Sequence, residues 1–113
     1  MFVLSQKCHG LGVDIEEFAR ITPAAVARIS KAEELDLAPH AAHLWAAKEA
    51  AFKTLALTQQ PSVISKVTIF DWQPTSKNSF HFRFKLNETN HLKIIGEGFC
   101  TTKNCLILSI AKI

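Results

Sequence analysis

At 113 residues, with 48% hydrophobic and 20% charged side chains, the chain has the makeup of one small globular domain with a modest core. Thirteen lysines and arginines against ten acidic residues give a net charge of +3, too mild to imply nucleic acid but compatible with an acidic partner or a phosphate-bearing ligand. No apolar run is long enough to span a membrane and no signal-like block opens the chain, so a soluble cytoplasmic protein is expected.

No linker, repeat or low-complexity tract interrupts the sequence, and residues 1–113 read as a single domain. The first strand is expected over residues 10–15, where Leu11, Val13 and Ile15 alternate against Gly12 and Asp14. Ile15, Phe18 and Ile21 then have helical spacing. Thr22-Pro23 starts a helix, with threonine as N-cap and proline in the first turn. Ser30-Lys31-Ala32-Glu33 reads as a capping box, closed by Glu33, opening another. After Pro39 comes the longest helix, over residues 40–57.

Pro61-Ser62 ends the helical half. Residues 63–72 are rich in β-branched and aromatic side chains. Residues 80–86 alternate without error, so Phe80, Phe82 and Phe84 should face a core while His81, Arg83 and Lys85 face water. Asn87 to Asn90 form a turn, and strands over 91–100 and 105–113 are joined by Thr101-Thr102-Lys103-Asn104. Helices on one face of a largely antiparallel sheet make an α+β domain. Cys8, Cys100 and Cys105 have neither zinc-finger nor CxxC spacing; Cys100 and Cys105 either face each other across the last hairpin or stay as thiols in a reducing compartment, the reading preferred here. His9, His40 and His43 lack an HExxH arrangement, although His40 and His43 are near neighbours at a helix start, and His81 and His91 read as surface strand residues.

Two segments can carry chemistry. In an extended strand Asp14 and Glu16 point the same way and Glu17 the opposite way. Paired carboxylates repel unless a cation lies between them, and hard oxygen ligands suit Mg²⁺; by itself the segment also reads as a solvated acidic turn. On the long helix, Leu44, Trp45, Phe52 and Leu55 share an apolar stripe with Lys48 inside it and Glu49 at its edge. Lys53 lies one turn beyond Glu49 in the favourable i,i+4 order. Alone, these charges are an exposed ion pair and a lysine laying its stem on Phe52. Together the segments make a metal–diphosphate clamp: acids for Mg²⁺, lysines for phosphate oxygens.

Gly12-Val13-Asp14-Ile15-Glu16-Glu17-Phe18-Ala19-Arg20-Ile21 resembles the first signature of 4′-phosphopantetheinyl transferases, in particular the short holo-acyl carrier protein synthases. Trp45-Ala46-Ala47-Lys48-Glu49-Ala50-Ala51-Phe52-Lys53 resembles their second, W/F-x-x-K-E-x-x-x-K. Between them Ser30-Lys31-Ala32-Glu33 is similar to a serine-to-glutamate element of the longer members. The resemblance implies transfer of 4′-phosphopantetheine from coenzyme A to a serine of an apo acyl or peptidyl carrier protein, releasing adenosine 3′,5′-bisphosphate, in fatty acid and related lipid metabolism.

By the same resemblance, Asp14 and Glu49 would hold Mg²⁺, with Glu16 or Glu17 as the further acid and strand parity favouring Glu16. Lys53 and Lys48 would steady the phosphates, and Glu49 is the candidate base for the carrier serine. Arg20 matches a carrier-docking position, with Arg28 and Lys31 as helpers that no motif supports. Short members are single-copy chains that form homotrimers with sites at the interfaces, which sets the same expectation here. Two departures stand out: Thr58-Gln59-Gln60-Pro61 replaces a glycine-rich loop, and the stretch around residues 99–103 lacks the usual histidines. They motivate the alternative of a non-catalytic member that binds coenzyme A or a carrier protein. A further rival is a structural subunit whose charged helix makes only intersubunit ion pairs.

Overall fold

The computed structural model describes residues 10–55, 64–86 and 95–113. Its elements are β1 (Leu11–Glu17), a 3-10 turn at Phe18–Arg20, α1 (Pro23–Ala27), α2 (Ala32–Leu37), α3 (Ala41–Lys53), a 3-10 turn at Ile64–Lys66, β2 (Val67–Ser76), β3 (Ser79–Leu86), β4 (Ile95–Lys103) and β5 (Leu106–Lys112). The five strands form one sheet in the order β1-β5-β4-β3-β2, every neighbouring pair antiparallel. The helices pack on one face, so the fold is the expected α+β layer arrangement. No described helix is long and apolar enough to cross a membrane.

The local chemistry explains most boundaries. Thr22 caps α1 by accepting the Ala25 N–H at 3.2 Å. His40 caps α3, its Nδ1 accepting the Ala42 N–H at 3.0 Å. The α2 cap is displaced by one residue from the expected box. Lys31 is the N-cap residue, and its N–H donates to Glu34 Oε1 at 3.0 Å, so the closing carboxylate is Glu34 rather than Glu33. β2 begins at Val67, later than expected, and runs on to Ser76 through a bulge at Asp71, whose φ is 57°. Thr101 to Lys103 continue β4 instead of turning; the chain reverses at Asn104, φ 58°, just past the strand. Thr101 and Thr102 are β-branched and pair with Leu108 and Ile107 across the ladder, which outweighs their polar character. α3 ends at Lys53 with Thr54 as its C-cap, earlier than the expected 57, while the turn at 87–90 and the start of the strand at 91 lie outside the described residues.

The core lies between the sheet and α3. Phe82 and Phe84 are buried, as their alternation predicted, and their rings occupy the space that Cβ atoms on Gly98 and Gly96 would take. Cys100 is buried and Cys105 exposed, both as free thiols. Burial pushes the Cys100 thiol up to about 12, partly opposed by a hydrogen bond with Ser109, which leaves it unreactive.

β1 reverses the ordinary order of a half-buried strand. Gly12 and Asp14 face the helices and are buried, while Leu11, Val13 and Ile15 face away from them, Ile15 62% exposed. Gly12 is the cause. A Cβ there would collide with the Ala50 carbonyl of α3, so its absence lets the helix backbone close onto the strand. Alanines 46, 47, 50 and 51 supply the matching shallow surface.

Candidate active site

The close approach of β1 and α3 brings Asp14 to the second half of the helix. Lys53 Nζ lies 3.0 Å from Asp14 Oδ1 and 3.3 Å from the Val13 carbonyl, to which it also donates. Asp14 is 6% exposed, and its second oxygen, Oδ2, is buried without a hydrogen-bond partner. Glu16, two residues on and on the same side, accepts a 3.4 Å bond from the Trp45 indole N–H. Glu17 turns to the other side and pairs with Arg20 at 3.0 Å on the surface.

The electrostatics follow from crowding like charges. Burial raises the Glu49 carboxyl above the ordinary glutamate range, the Asp14 charge raises it further, and Lys53 partly offsets both. Glu16 is raised by burial and then by the neighbouring Asp14 carboxylate, with the Trp45 N–H opposing. Asp14, Glu16 and Glu49 therefore share one field, in which Lys53 is the nearest positive charge bonded to a carboxylate.

A cation of hard character suits this place. All the donors are carboxylate oxygens, one of them buried without a partner, and the Lys53 ammonium already takes the position of a counter-charge. Among the described residues no group of three His, Cys, Asp or Glu side chains stands ready as a full ligand set. Mg²⁺ does not require one, since it binds through one or two carboxylates and fills its other positions with water and phosphate oxygens. Beside the cluster lies a cavity of about 110 Å³ lined by Glu16, Arg20, Ile21, Ala25 and Trp45. It has apolar walls and one charge of each sign at its rim.

Not every residue singled out by sequence joins the cluster. Lys48 is completely buried and turned to the other side of α3. Its ammonium donates to the Ile29 carbonyl at 2.7 Å, the Val67 carbonyl at 2.8 Å and Glu34 Oε1 at 3.1 Å. All three of its protons have acceptors inside the protein, which leaves none for the phosphate role expected of it. Arg28 is exposed at the C-cap of α1, and Lys31 is exposed at the start of α2. Sequence reasoning gave Trp45 no polar role and overlooked Glu34. A tryptophan four residues before Glu49, one helical turn away, was the available signal for the first. The second had none, because Glu33 and Glu34 are adjacent and equivalent on paper.

A six-residue α2 and a long α3 against a five-stranded antiparallel sheet, with an acid-bearing first strand packed on the second half of the long helix, define a small α+β domain. The family model described as the 4′-phosphopantetheinyl transferase superfamily matches residues 10–103, most of the chain, and the protein belongs to that superfamily. No curated protein matches it.

Proposed function

We propose that the protein is an Mg²⁺-dependent holo-acyl carrier protein synthase, moving 4′-phosphopantetheine from coenzyme A to a serine of an apo carrier protein. What supports this reading is the Asp14–Lys53 pair joining β1 to α3, with one buried Asp14 oxygen unpartnered and with Glu16 and Glu49 both raised by the Asp14 charge. Asp14, Glu16 and Glu49 would hold the ion. Bound there, Mg²⁺ would neutralise the diphosphate of coenzyme A and the charge that builds on it during transfer.

The chain's own residues have separate tasks. Lys53, half exposed and on the cluster's open side, steadies phosphate oxygens. Glu49, directly or through a metal-bound water, accepts the proton of the carrier serine hydroxyl. The serine oxygen then bonds to the β-phosphorus, the bond to the bridging oxygen breaks, and adenosine 3′,5′-bisphosphate leaves with that oxygen. Arg20, at the cavity rim, and the exposed Arg28 suit an acidic carrier surface. Lys48 has a structural place in this scheme rather than a phosphate contact.

The outward row of β1 supports self-association. Val13 is opposite Ile110, and Ile15 is opposite Leu108, while Phe99 meets Ile110 from the other side. This apolar face lies on the same strand as the acidic cluster, so a homotrimer joined through it would set each site beside a neighbour, in keeping with a cytoplasmic enzyme of lipid metabolism. Sedimentation of the parent and of Ile15→Lys reads the assembly; a parent that stays monomeric at high concentration overturns it. The transfer itself is tested by incubating the protein with coenzyme A, Mg²⁺ and several apo carrier proteins. A mass gain of one phosphopantetheine on the carrier is expected, and coenzyme A binding without that gain across all carriers would select the non-catalytic reading instead.

A further inference from the structure

β2 is the last strand of the sheet, and its outer edge should present unpaired backbone groups. At Val67 and Ile69 it does not. Lys48 Nζ donates to the Val67 carbonyl at 2.8 Å, and Glu34 Oε2 accepts the Ile69 N–H at 3.0 Å. Lys48 and Glu34 are themselves paired at 3.1 Å, with side chains 0% and 1% exposed. A donor to one carbonyl and an acceptor for the N–H two residues later is the pattern that one residue of a neighbouring parallel strand would supply. The ion pair thus stands in for a missing strand. It also reaches two other segments, through the Ile29 carbonyl and the Lys31 N–H.

Lys48 belongs to the same helix as Glu49 and Lys53, which meet β1 at the opposite edge of the sheet. A helix held at one edge only can roll about its axis, and a roll moves every side chain on it. The buried pair removes that freedom. We propose that Lys48 and Glu34 are positioning residues, fixing the rotation of α3 by closing the β2 edge so that Glu49 and Lys53 are aimed at Asp14. The catalytic half of this statement rests on the function proposed above; the structural half does not.

The test uses Glu34→Gln in a Trp72→Phe background, where Trp45 on α3 is the sole fluorophore of its kind. Glutamine keeps an acceptor for Ile69 but removes the charge that holds Lys48. In the folded variant, Trp45 emission should shift to the red and its acrylamide quenching should rise, because its bond to Glu16 depends on where α3 sits. Transfer should fall on the order of a hundredfold in kcat, as expected for a reacting group displaced by about 1 Å. A folded variant with parental emission, quenching and kcat overturns the proposal. If the parent transfers nothing, the proposed function falls while the fluorescence still reads the helix. If the variant does not fold, hydrogen exchange on the unsubstituted protein decides. An Ile69 amide protected like the central strands supports the closed edge, and one exchanging at the rate of an open edge strand overturns it.

Discussion

Lys53 reaches back across 39 residues to put its ammonium 3.0 Å from Asp14, leaving the other Asp14 oxygen buried and unpartnered. The carboxylate is nearly out of water and the lysine half in it, so the two ends of the pair are unequal. Removing the lysine leaves a buried acceptor with nothing to accept, whereas the exposed ammonium alone loses little.

Lys53→Met should therefore destabilise the fold by about 1–3 kcal/mol, the usual cost of orphaning a buried polar group. Added Mg²⁺ should restore part of the melting temperature, and more in the variant than in the parent, because the ion takes the place the ammonium vacated. Thermal melts with and without millimolar Mg²⁺ check it, and equal responses in both proteins would count against cation binding at Asp14.

Glu49→Gln should remove transfer, by on the order of 10²–10⁴-fold for loss of a general base, and yet stabilise the protein. Its folded-state pKa is raised, so the folded protein holds the proton more readily than the unfolded chain does. Ionised Glu49 thus lowers stability once the pH rises through its folded value, and it has no such effect below the unfolded value near 4.5. The variant's melting temperature should exceed the parent's at neutral pH and converge with it in acid. Retained turnover in this variant would reject the assigned role.

Gly12→Ala places a methyl group against the Ala50 carbonyl. Helix backbone cannot yield there without lifting α3 from β1, so a loss of about 1–3 kcal/mol is expected. The Asp14–Lys53 pair should loosen with it. A double-mutant cycle with Lys53→Met reads this: in the Gly12→Ala background the lysine should be worth less than in the parent.

His43 gives the acid side of the stability curve. Its ring is packed among Phe18, His40 and Phe80, and neither nitrogen has a hydrogen-bond partner. Burial first, then the nearby His40, lowers its pKa from 6.5. The unfolded chain accordingly takes up the proton at a higher pH than the folded one. Stability is complete above about pH 6.5 and declines as the pH falls toward the folded value, below which the loss levels off. His43→Phe should flatten that part of the curve in urea titrations between pH 5 and 7, and an unchanged slope would reject the assignment.

The layer arrangement was legible because the phenylalanines of β3 alternate cleanly and the alanine-rich helix is long. The orientation of β1 was harder. Its alternation puts Asp14 and Glu16 on one side, but hydrophobicity alone would turn Leu11, Val13 and Ile15 inward. The clue lay in Gly12, which shares a face with Asp14 and has alanine-sized neighbours on α3, a match visible only once helix and strand are known to touch. Lys48 was correctly located in the apolar stripe, yet its partner comes from α2 and β2, and no helical spacing connects those segments. The short motifs name residues that carry charge; only packing distinguishes the pair that faces the cluster from the pair that faces the far edge.

β1 carries acids on one side and an apolar row on the other, at strict period two. A single-residue insertion or deletion upstream of Asp14 within this strand would exchange the sides, turning the carboxylates outward and driving leucine-sized groups against the Ala50 carbonyl. Two unrelated properties, the anion-rich cluster and the greasy exterior, would be lost in one event. This seven-residue stretch should consequently accept point substitutions far more readily than any change in its length.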